Sequence, residues 1–530
     1  MIPLSFNGSW IRACPPDDLA TEDRFRLEAL LGDLGFQRDG AFRTAPGDLA
    51  PRAIAALAGA GFLPHLSSDD LARLQGDARR TVEAQESAGA LAQAVGLYPF
   101  QKRGAEWLSG RPRALLGDQM GLGKTVQALV ALPQAPRVVV VAPKVVLRAW
   151  QAEAKRWRPD LRYRILTGRP NKWDWPLPGE IIALNWDILP PLEATAQAAA
   201  PEGVVVIADE AHYAKSLGAA RSKRFRALAL AARRAGGKTW GLTGTPLKSH
   251  PPDLWGTLAA CGLAEEAFGS WPRFRALFGG REGRWGTEWT GRVAPEVGAR
   301  LSRVMLRRLR ADVLPDLPAA TERRMTVNGI PEEVIKEMDS ILAQLGRLGI
   351  DLEAATLEVL RTADGGTVFS RMSRVREKLA VSRIPAVLAL VDDYEGEEEP
   401  LVVFSAHRAP VRALGEREGW GAIYGDTTTD ERARLVGEFQ AGRLKGLALT
   451  IGAGGVGITL HRAAHCLFVD LGWTPADNSQ ALDRLVRIGQ NRGVVYTVLT
   501  SDHPLDVRVN DILTLKAKII LESVDKAVEK

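Results

Sequence analysis

Cysteine is scarce. The 530 residues hold three, Cys14, Cys261 and Cys466, far apart and without a C-x-x-C pair. That spacing offers neither a disulfide framework nor a zinc site, and it predicts a reduced, intracellular protein. No apolar run approaches membrane-spanning length, so no membrane association is expected. The opening MIPLSFNGSW lacks the basic and then apolar regions of a secretory leader. An acidic excess is missing too: 69 Lys+Arg face 63 Asp+Glu, for a net charge of +6. Such a balance suits a polyanionic partner and equally an ordinary, mildly basic protein. Basic clusters recur at Arg148–Arg158, Arg221–Arg234, Arg303–Arg310 and Arg371–Lys378. Each alone reads as a solvated helix face. The rest is ordinary for a folded chain, 46% hydrophobic and 25% charged. The length allows roughly two to four domains.

Residues 1–92 read as a separate module. FNGSWIRA is a strand, Asp23–Leu34 has helical spacing, and GFQRDGAFRTA is a hairpin with Asp39-Gly40 as its turn. Helices follow around 49–59 and 69–95. From Leu97 near-continuous apolar strands alternate with helices: 137–147, 179–186, 203–212 and 238–247. This texture predicts a parallel sheet covered on both faces, with ligand sites past the carboxyl ends of the strands. Residues 250–395 are mostly helical and irregular, and the acidic run DDYEGEEEP (392–400) reads as an exposed loop. A second sheet is predicted from 400–408, 420–426, 446–460, 464–473 and 494–501, and an amphipathic helix from Leu505 to Lys530.

The chemistry begins at GDQMGLGKT (117–125). Gly121 and Gly123 open a tight turn between a buried strand and a helix, where backbone N–H groups can crowd around phosphate oxygens. Lys124 would reach the β- and γ-phosphates of ATP, and the Thr125 hydroxyl would hold Mg2+. The strict pattern wants glycine at 118, where this chain has Asp118. The second piece is the DEAH box Asp209-Glu210-Ala211-His212, delivered by the strand VVVIA. Asp209 would hold Mg2+ and Glu210 would position and deprotonate the attacking water. Thr243 and Thr245, in a Thr-Gly-Thr-Pro turn, would sense the state of that loop. Arg484 and Arg487 are three apart, so a helix would put both on one face. Supplied to a γ-phosphate, such arginines are worth roughly 10³–10⁵ in rate.

The order Lys124, Asp209, Thr243, Arg484/Arg487 across two α/β lobes resembles the Swi/Snf-like family of helicase superfamily two, the DNA-translocating ATPases. The resemblance runs from about residue 95 to 525. It rests on LYPFQKRGAEWL (97–108), GDQMGLGKT, VVVAPKVVLRAWQAEAKRW (139–157), ADEAH (208–212), LTGTPLKS (242–249), VMLRRLRADVLPDLP (304–318), LVVFSAHR (401–408), TIGAGGVGITL (450–460) and FVDLGWTPADNSQALDRLVRIGQ (468–490). The Arg-Ile-Gly-Gln ending and the Arg-Arg-Leu-Arg-Ala-Asp-Val-Leu stretch are the most specific. Within the family the N-terminal module is most similar to the HepA-related annealing helicases.

The resemblance implies a fold of two tandem RecA-like parallel-sheet lobes with helical insertions, plus a small α+β N-terminal module. It divides the chain into an accessory module (1–92), lobe 1 (93–318), a linker and helical protrusion (319–395), lobe 2 (396–503) and a brace helix (504–530). It implies that Gln101 reads the adenine and that Asp118, Gly121, Leu122, Gly123, Lys124, Thr125 and Gly457 line the ATP site, with Gly455 and His212 in coupling. It implies that Lys144, Arg148, Trp150, Ser405, His407, Thr450 and Gly452 face DNA. Gln119 and Val486 depart from the usual acidic residue and histidine. The expected protein is a monomeric, ATP- and Mg2+-dependent translocase on double-stranded or branched DNA, in the cytoplasm or nucleoid, of a cell or a virus. It would remodel DNA structures or protein–DNA complexes, as in DNA repair. Alternatives are an RNA or single-strand unwinding helicase, a DNA-binding scaffold, and the motor of a defence or restriction system.

Overall fold

β-branched residues fit a pleated surface buried on both faces, and the runs RVVVVA, EIIALN and VVIAD are built of them. In the computed structural model they are the strands Arg137–Ala142, Glu180–Asn185 and Val205–Asp209. They join an all-parallel seven-stranded sheet. Its order is Met305–Leu306, Arg113–Leu116, Lys238–Leu242, Val205–Asp209, Arg137–Ala142, Glu180–Asn185 and Arg162–Ile165. The structure describes residues 2–513 except 7–9, 17, 35, 40–41, 47–49, 63, 248–250, 284–285, 290–292, 316–319, 352–359, 361–362, 455–457 and 488. The chain divides into two compact units, one reaching Leu309 and the next beginning at Arg310.

The first unit also holds the N-terminal module. Its sheet runs Gln37–Asp39, Phe42–Pro46, Trp10–Ala13, Ile2–Phe6 and Pro64–His65. Ile2 and Leu4 alternate inward with exposed Pro3 and Ser5, and they pack with Ile11 and Ala13 on Leu27 and Leu31 of the helix Thr21–Asp33. The two strands of the expected hairpin are present. Asp39 pairs with Phe42, so the two connecting residues are 40–41, outside the described residues, and Asp39 ends a strand. The helix Ser68–Ala94 starts at an N-cap, Ser67, whose side chain accepts from Asp70 N.

The second unit has its own all-parallel sheet, ordered Ala320–Thr326, Val494–Thr500, His465–Phe468, Leu401–Ser405, Gly446–Thr450 and Trp420–Ile423. The helices Glu332–Arg347 and Thr367–Ser382 share a separate core with Leu505, Val509 and Ile512. Residues 504–513 are helical, and the remainder of the expected brace helix lies outside the described residues.

Two expectations are corrected here. The acidic run is not a loop at its start: residues 392–396 end the helix Ile384–Gly396. Cations and an indole across that surface hold them. Glu395 accepts from Trp420 Nε1 at 2.7 Å and from Lys445 and Arg417, and Asp392 accepts from Arg417. The arginines 484 and 487 do not ride a helix. The helix Pro475–Leu482 stops before them. The chain then tightens through the bonds Arg484 N to Ala481 O and Leu485 N to Leu482 O, which buries Leu485 and Val486. Leu460 N donates to Arg484 O at 2.8 Å, so that carbonyl serves a neighbouring strand-end loop instead of a further helical turn.

Candidate nucleotide site

Four parallel strands of the first unit end together at this site. After Arg113–Leu116 the chain turns through Gly121 (φ 87°) and Gly123 (φ 73°) into the helix Lys124–Val130. Those left-handed angles are costly for any residue with a Cβ. Lys124 Nζ donates to Asp118 O at 2.8 Å and Gln119 O at 3.4 Å, so the ammonium closes the loop on itself. Burial pulls its pKa below the ordinary lysine value, while the carboxylates of Glu210, Asp118 and Asp209 act the other way. Its present partners are neutral carbonyls. A charged phosphate oxygen is a stronger acceptor and would displace them, so the residues fit a nucleotide.

Asp209 ends its strand beside this loop. Trp150 Nε1 donates to its Oδ2 at 2.7 Å, Glu210 N donates to its Oδ1 at 3.0 Å, and Trp186 Nε1 donates to its carbonyl at 3.1 Å. Burial, then the adjacent Glu210 carboxylate, pushes its pKa up to about 6. A carboxylate that costs this much to ionise is suited to a divalent cation, which would restore the charge balance. Each of its oxygens can accept a second partner. The half-buried Thr125 stands in the first turn of the loop's helix. Glu210 holds a left-handed backbone (φ 50°, ψ 53°) without being glycine. Strain of this kind costs about 1–3 kcal/mol and gathers at functional positions. Its Oε2 lies 3.3 Å from His212 Nδ1, which also meets Thr243 Oγ1 at 3.1 Å and Thr245 Oγ1 at 3.4 Å. The structure therefore brings Lys124, Asp209, Glu210, His212, Thr243 and Thr245 together.

Other expected residues are engaged with protein partners. Asp118 is 0% exposed, and its carboxylate is spent on Arg308 and on Gln127 Nε2. Only its backbone turns to Lys124. Gln101 is buried, its Oε1 accepting from Tyr98 N at 3.2 Å and its Nε2 donating to Leu122 O at 3.2 Å. In this state it braces the loop. Trp150, expected at DNA, is 1% exposed and holds Asp209, because it lies on the buried face of the helix Leu147–Trp157. Lys144 and Arg148, by contrast, are exposed on the same segment.

In the second unit Ser405, also expected at DNA, is 0% exposed and donates to Asp470 Oδ1 at 2.6 Å. The buried Val402, Val403 and Phe404 draw the strand end inside, and the hydroxyl finds the buried Asp470 there. His407 lies beside them, its Nε2 3.4 Å from Asp470 Oδ2. Thr450 is partly exposed and Gly452 exposed. Gly455 and Gly457 lie outside the described residues. Arg484 is 2% exposed, and Arg487 donates to Ile458 O and Thr459 Oγ1, both at 2.9 Å.

The SNF2-related domain family matches residues 100–333 and the helicase conserved C-terminal domain family matches 382–489. The chain belongs to the Swi/Snf-like family of helicase superfamily two. Among Swi/Snf-like relatives, the DNA annealing helicase and endonuclease ZRANB3 of Mus musculus is 28% identical over 82% of this chain and 41% of its own. The SWI/SNF-related matrix-associated actin-dependent regulator of chromatin subfamily A-like protein 1 of Xenopus tropicalis is 30% identical over 80% of this chain and 44% of its own. This chain thus spans about two fifths of the length of these relatives. The Sulfolobus solfataricus SWI2/SNF2 ATPase core in complex with dsDNA is 21% identical over 82% of this chain and 94% of that one, with a TM-score of 0.37. The Swi/Snf-like ATPase family implies ATP use. Among the described residues no helix is long and apolar enough to cross a membrane.

Two features of the site have partners that the sequence does not signal. Trp150 and Trp186 stand 36 residues apart in the sequence, and only folding brings both indoles to one aspartate. Arg307 and Arg308 sit in a recognised motif whose targets lie 63 to 208 residues away.

Proposed function

We propose that the chain is an ATP-dependent double-stranded DNA translocase that remodels DNA structures or protein–DNA complexes, with fork remodelling or strand annealing in DNA repair as its setting. The observation that carries this reading is the cluster at the strand ends: Lys124 in a left-handed glycine loop, facing Asp209 and the strained Glu210. The annealing-helicase relatives support the DNA end of it. In this scheme Lys124 holds the terminal phosphates. Thr125 and Asp209 hold Mg2+, which supplies charge neutralisation on those phosphates when bound. Glu210 orients a water and takes its proton, and His212 holds the Glu210 carboxylate in place. Thr243 and Thr245, bonded to His212, pass the occupancy of the site to the rest of the lobe. Gln101 leaves Leu122 O to meet the base. Arg484 and Arg487 stabilise transition-state charge. Lys144 and Arg148, with Thr450 and Gly452 in the second unit, bind the DNA backbone, so affinity falls steeply with salt. Residues 1–92 recognise DNA structure, and the protein works in the cytoplasm or on the nucleoid.

The test is ATP hydrolysis without nucleic acid, then with single-stranded DNA, blunt duplex, a fork and RNA. Stimulation by duplex or fork and little by RNA is expected. Equal stimulation by RNA favours an unwinding helicase, and no stimulation by any DNA sinks the motor. A fork preference lost on deleting residues 1–92 assigns that module.

A further inference from the structure

The segment Arg307–Arg310 does something the reading above leaves open. Met305–Leu306 adds a two-residue parallel strand beside Arg113–Leu116, the strand that feeds the phosphate loop. The backbone pairing continues into that loop: Gly117 N donates to Leu306 O at 2.7 Å and Gln119 N to Arg308 O at 2.9 Å. Arg307 Nη1 then donates to Gly117 O at 2.7 Å and Gly244 O at 3.2 Å, fastening the phosphate loop to the Thr243–Thr245 turn.

Arg308 goes deeper. Its Nε and Nη2 take the two oxygens of Asp118 at 2.9 and 2.5 Å, and Nη2 also reaches Gln127 Oε1 at 2.7 Å. Nη1 donates to Phe100 O. Gln127 Nε2 in turn donates to Leu122 O at 3.0 Å. One buried guanidinium thus sets the loop's Asp118 directly and its Leu122 through Gln127. Gly104 makes room for the network, since a Cβ there would stand 1.8 Å from Gln127 Oε1. A planar fork is needed for a bidentate grip of this kind, and lysine cannot reproduce it.

Two residues on, Arg310 makes the matching contacts in the second unit. Its Nη2 pairs with Asp483 Oδ1 at 2.7 Å, and its Nη1 donates to Val486 O at 2.9 Å. Asp483 and Val486 bracket Arg484 and directly precede Arg487. Only Leu309 separates the arginine that fixes the phosphate loop from the one that fixes the loop of the second arginine pair.

We propose that Arg308 and Arg310 are positioning residues for hydrolysis. Arg308 sets the nucleotide-binding loop, Arg310 sets the loop carrying Arg484 and Arg487, and the short covalent link between them makes one segment responsible for both. This rests on the ATPase reading. It assigns the two arginines different kinetic signatures, which a merely structural role would not separate.

The test uses the full chain, MgADP titration by calorimetry and steady-state ATP hydrolysis with saturating duplex DNA. Arg308→Lys should raise the MgADP Kd at least tenfold. Arg308→Met/Asp118→Asn removes the buried charge pair together, so that the protein folds without an orphaned carboxylate, and it should show the same loss. Arg310→Met should lower kcat at least tenfold with the MgADP Kd within twofold of wild type, and Arg310→Lys should fall between. The proposal is overturned if folded Arg308 variants bind MgADP like wild type, or if Arg310→Met changes Kd and kcat in equal proportion or leaves both unchanged. A wild-type chain that neither binds MgADP nor hydrolyses ATP with any nucleic acid defeats the ATPase reading itself, and this proposal with it.

Discussion

In each parallel sheet an aspartate stands at or just past the end of a central strand, Asp209 half-buried and Asp470 buried, and the two aspartates live differently. Asp209 in the first sheet sits against a second carboxylate and a lysine, at the mouth of a glycine loop. Its pKa is pushed up to about 6, so the fold holds its charge at a cost. Asp470 in the second sheet accepts from the Ser405 hydroxyl and from Ala406 N. One of its oxygens closes the end of the neighbouring strand Leu401–Ser405, and the other lies 3.4 Å from His407 Nε2. The same topology therefore sets one aspartate against a second carboxylate in one unit and against a serine hydroxyl in the other. A buried acid at a parallel strand end is a candidate site when its neighbours leave the charge poorly compensated.

Predictions that break or sharpen this contrast run from large to small. Lys124→Ala should lower ATP turnover by about 10²–10³-fold while duplex binding, measured by fluorescence anisotropy, stays within a few-fold. Comparable loss of both would point to misfolding. The aspartates should respond with opposite sign in thermal melting. Asp209→Asn removes a charge the fold disfavours, so the ligand-free protein should melt no lower than wild type while hydrolysis is lost. Asp470→Ala orphans the Ser405 hydroxyl and Ala406 N and should cost about 1–3 kcal/mol. If both destabilise alike, the contrast is wrong.

The supporting residues should follow their acids. Trp150→Phe keeps an aromatic side chain but loses the N–H to Asp209, so half-saturation by Mg2+ in the ATPase assay should rise roughly 10–100-fold. Ser405→Ala should leave that value unchanged and lower stability by about 1 kcal/mol. The smallest effect lies at the opposite end of the first sheet, where burial lowers the pKa of Lys238 to about 8. Its folded pKa is below its unfolded value near 10.4. The unfolded chain therefore holds the proton longer between these values, and stability should rise with pH from about 8 to 10. Lys238→Met should flatten that rise in melting temperature.

The interior strands were legible because burial on both faces demands unbroken apolar runs. The edges were not. Ala320–Thr326 is almost wholly exposed, the hairpin Gly280–Gly283/Gly286–Trp289 is mostly polar, and Arg162–Ile165 alternates over only four residues, too few for a period to stand out. The acidic run hid the end of a helix because its cationic partners, Arg417 and Lys445, follow it by more than 20 residues.

The sequence by itself determined the two parallel sheets, the glycine loop at 121–125, the acids at 209 and 210 and the family. Local patterns write these things: β-branched runs, glycines where φ is positive, acids after a strand. Tertiary structure alone decided which polar groups are spent. It turned Trp150 and Ser405 inward, tied Asp118 to Arg308, and carried Arg484 and Arg487 past the end of a helix. Hydrogen bonds inside a core are made to whatever the fold brings near, and sequence separation does not encode that distance.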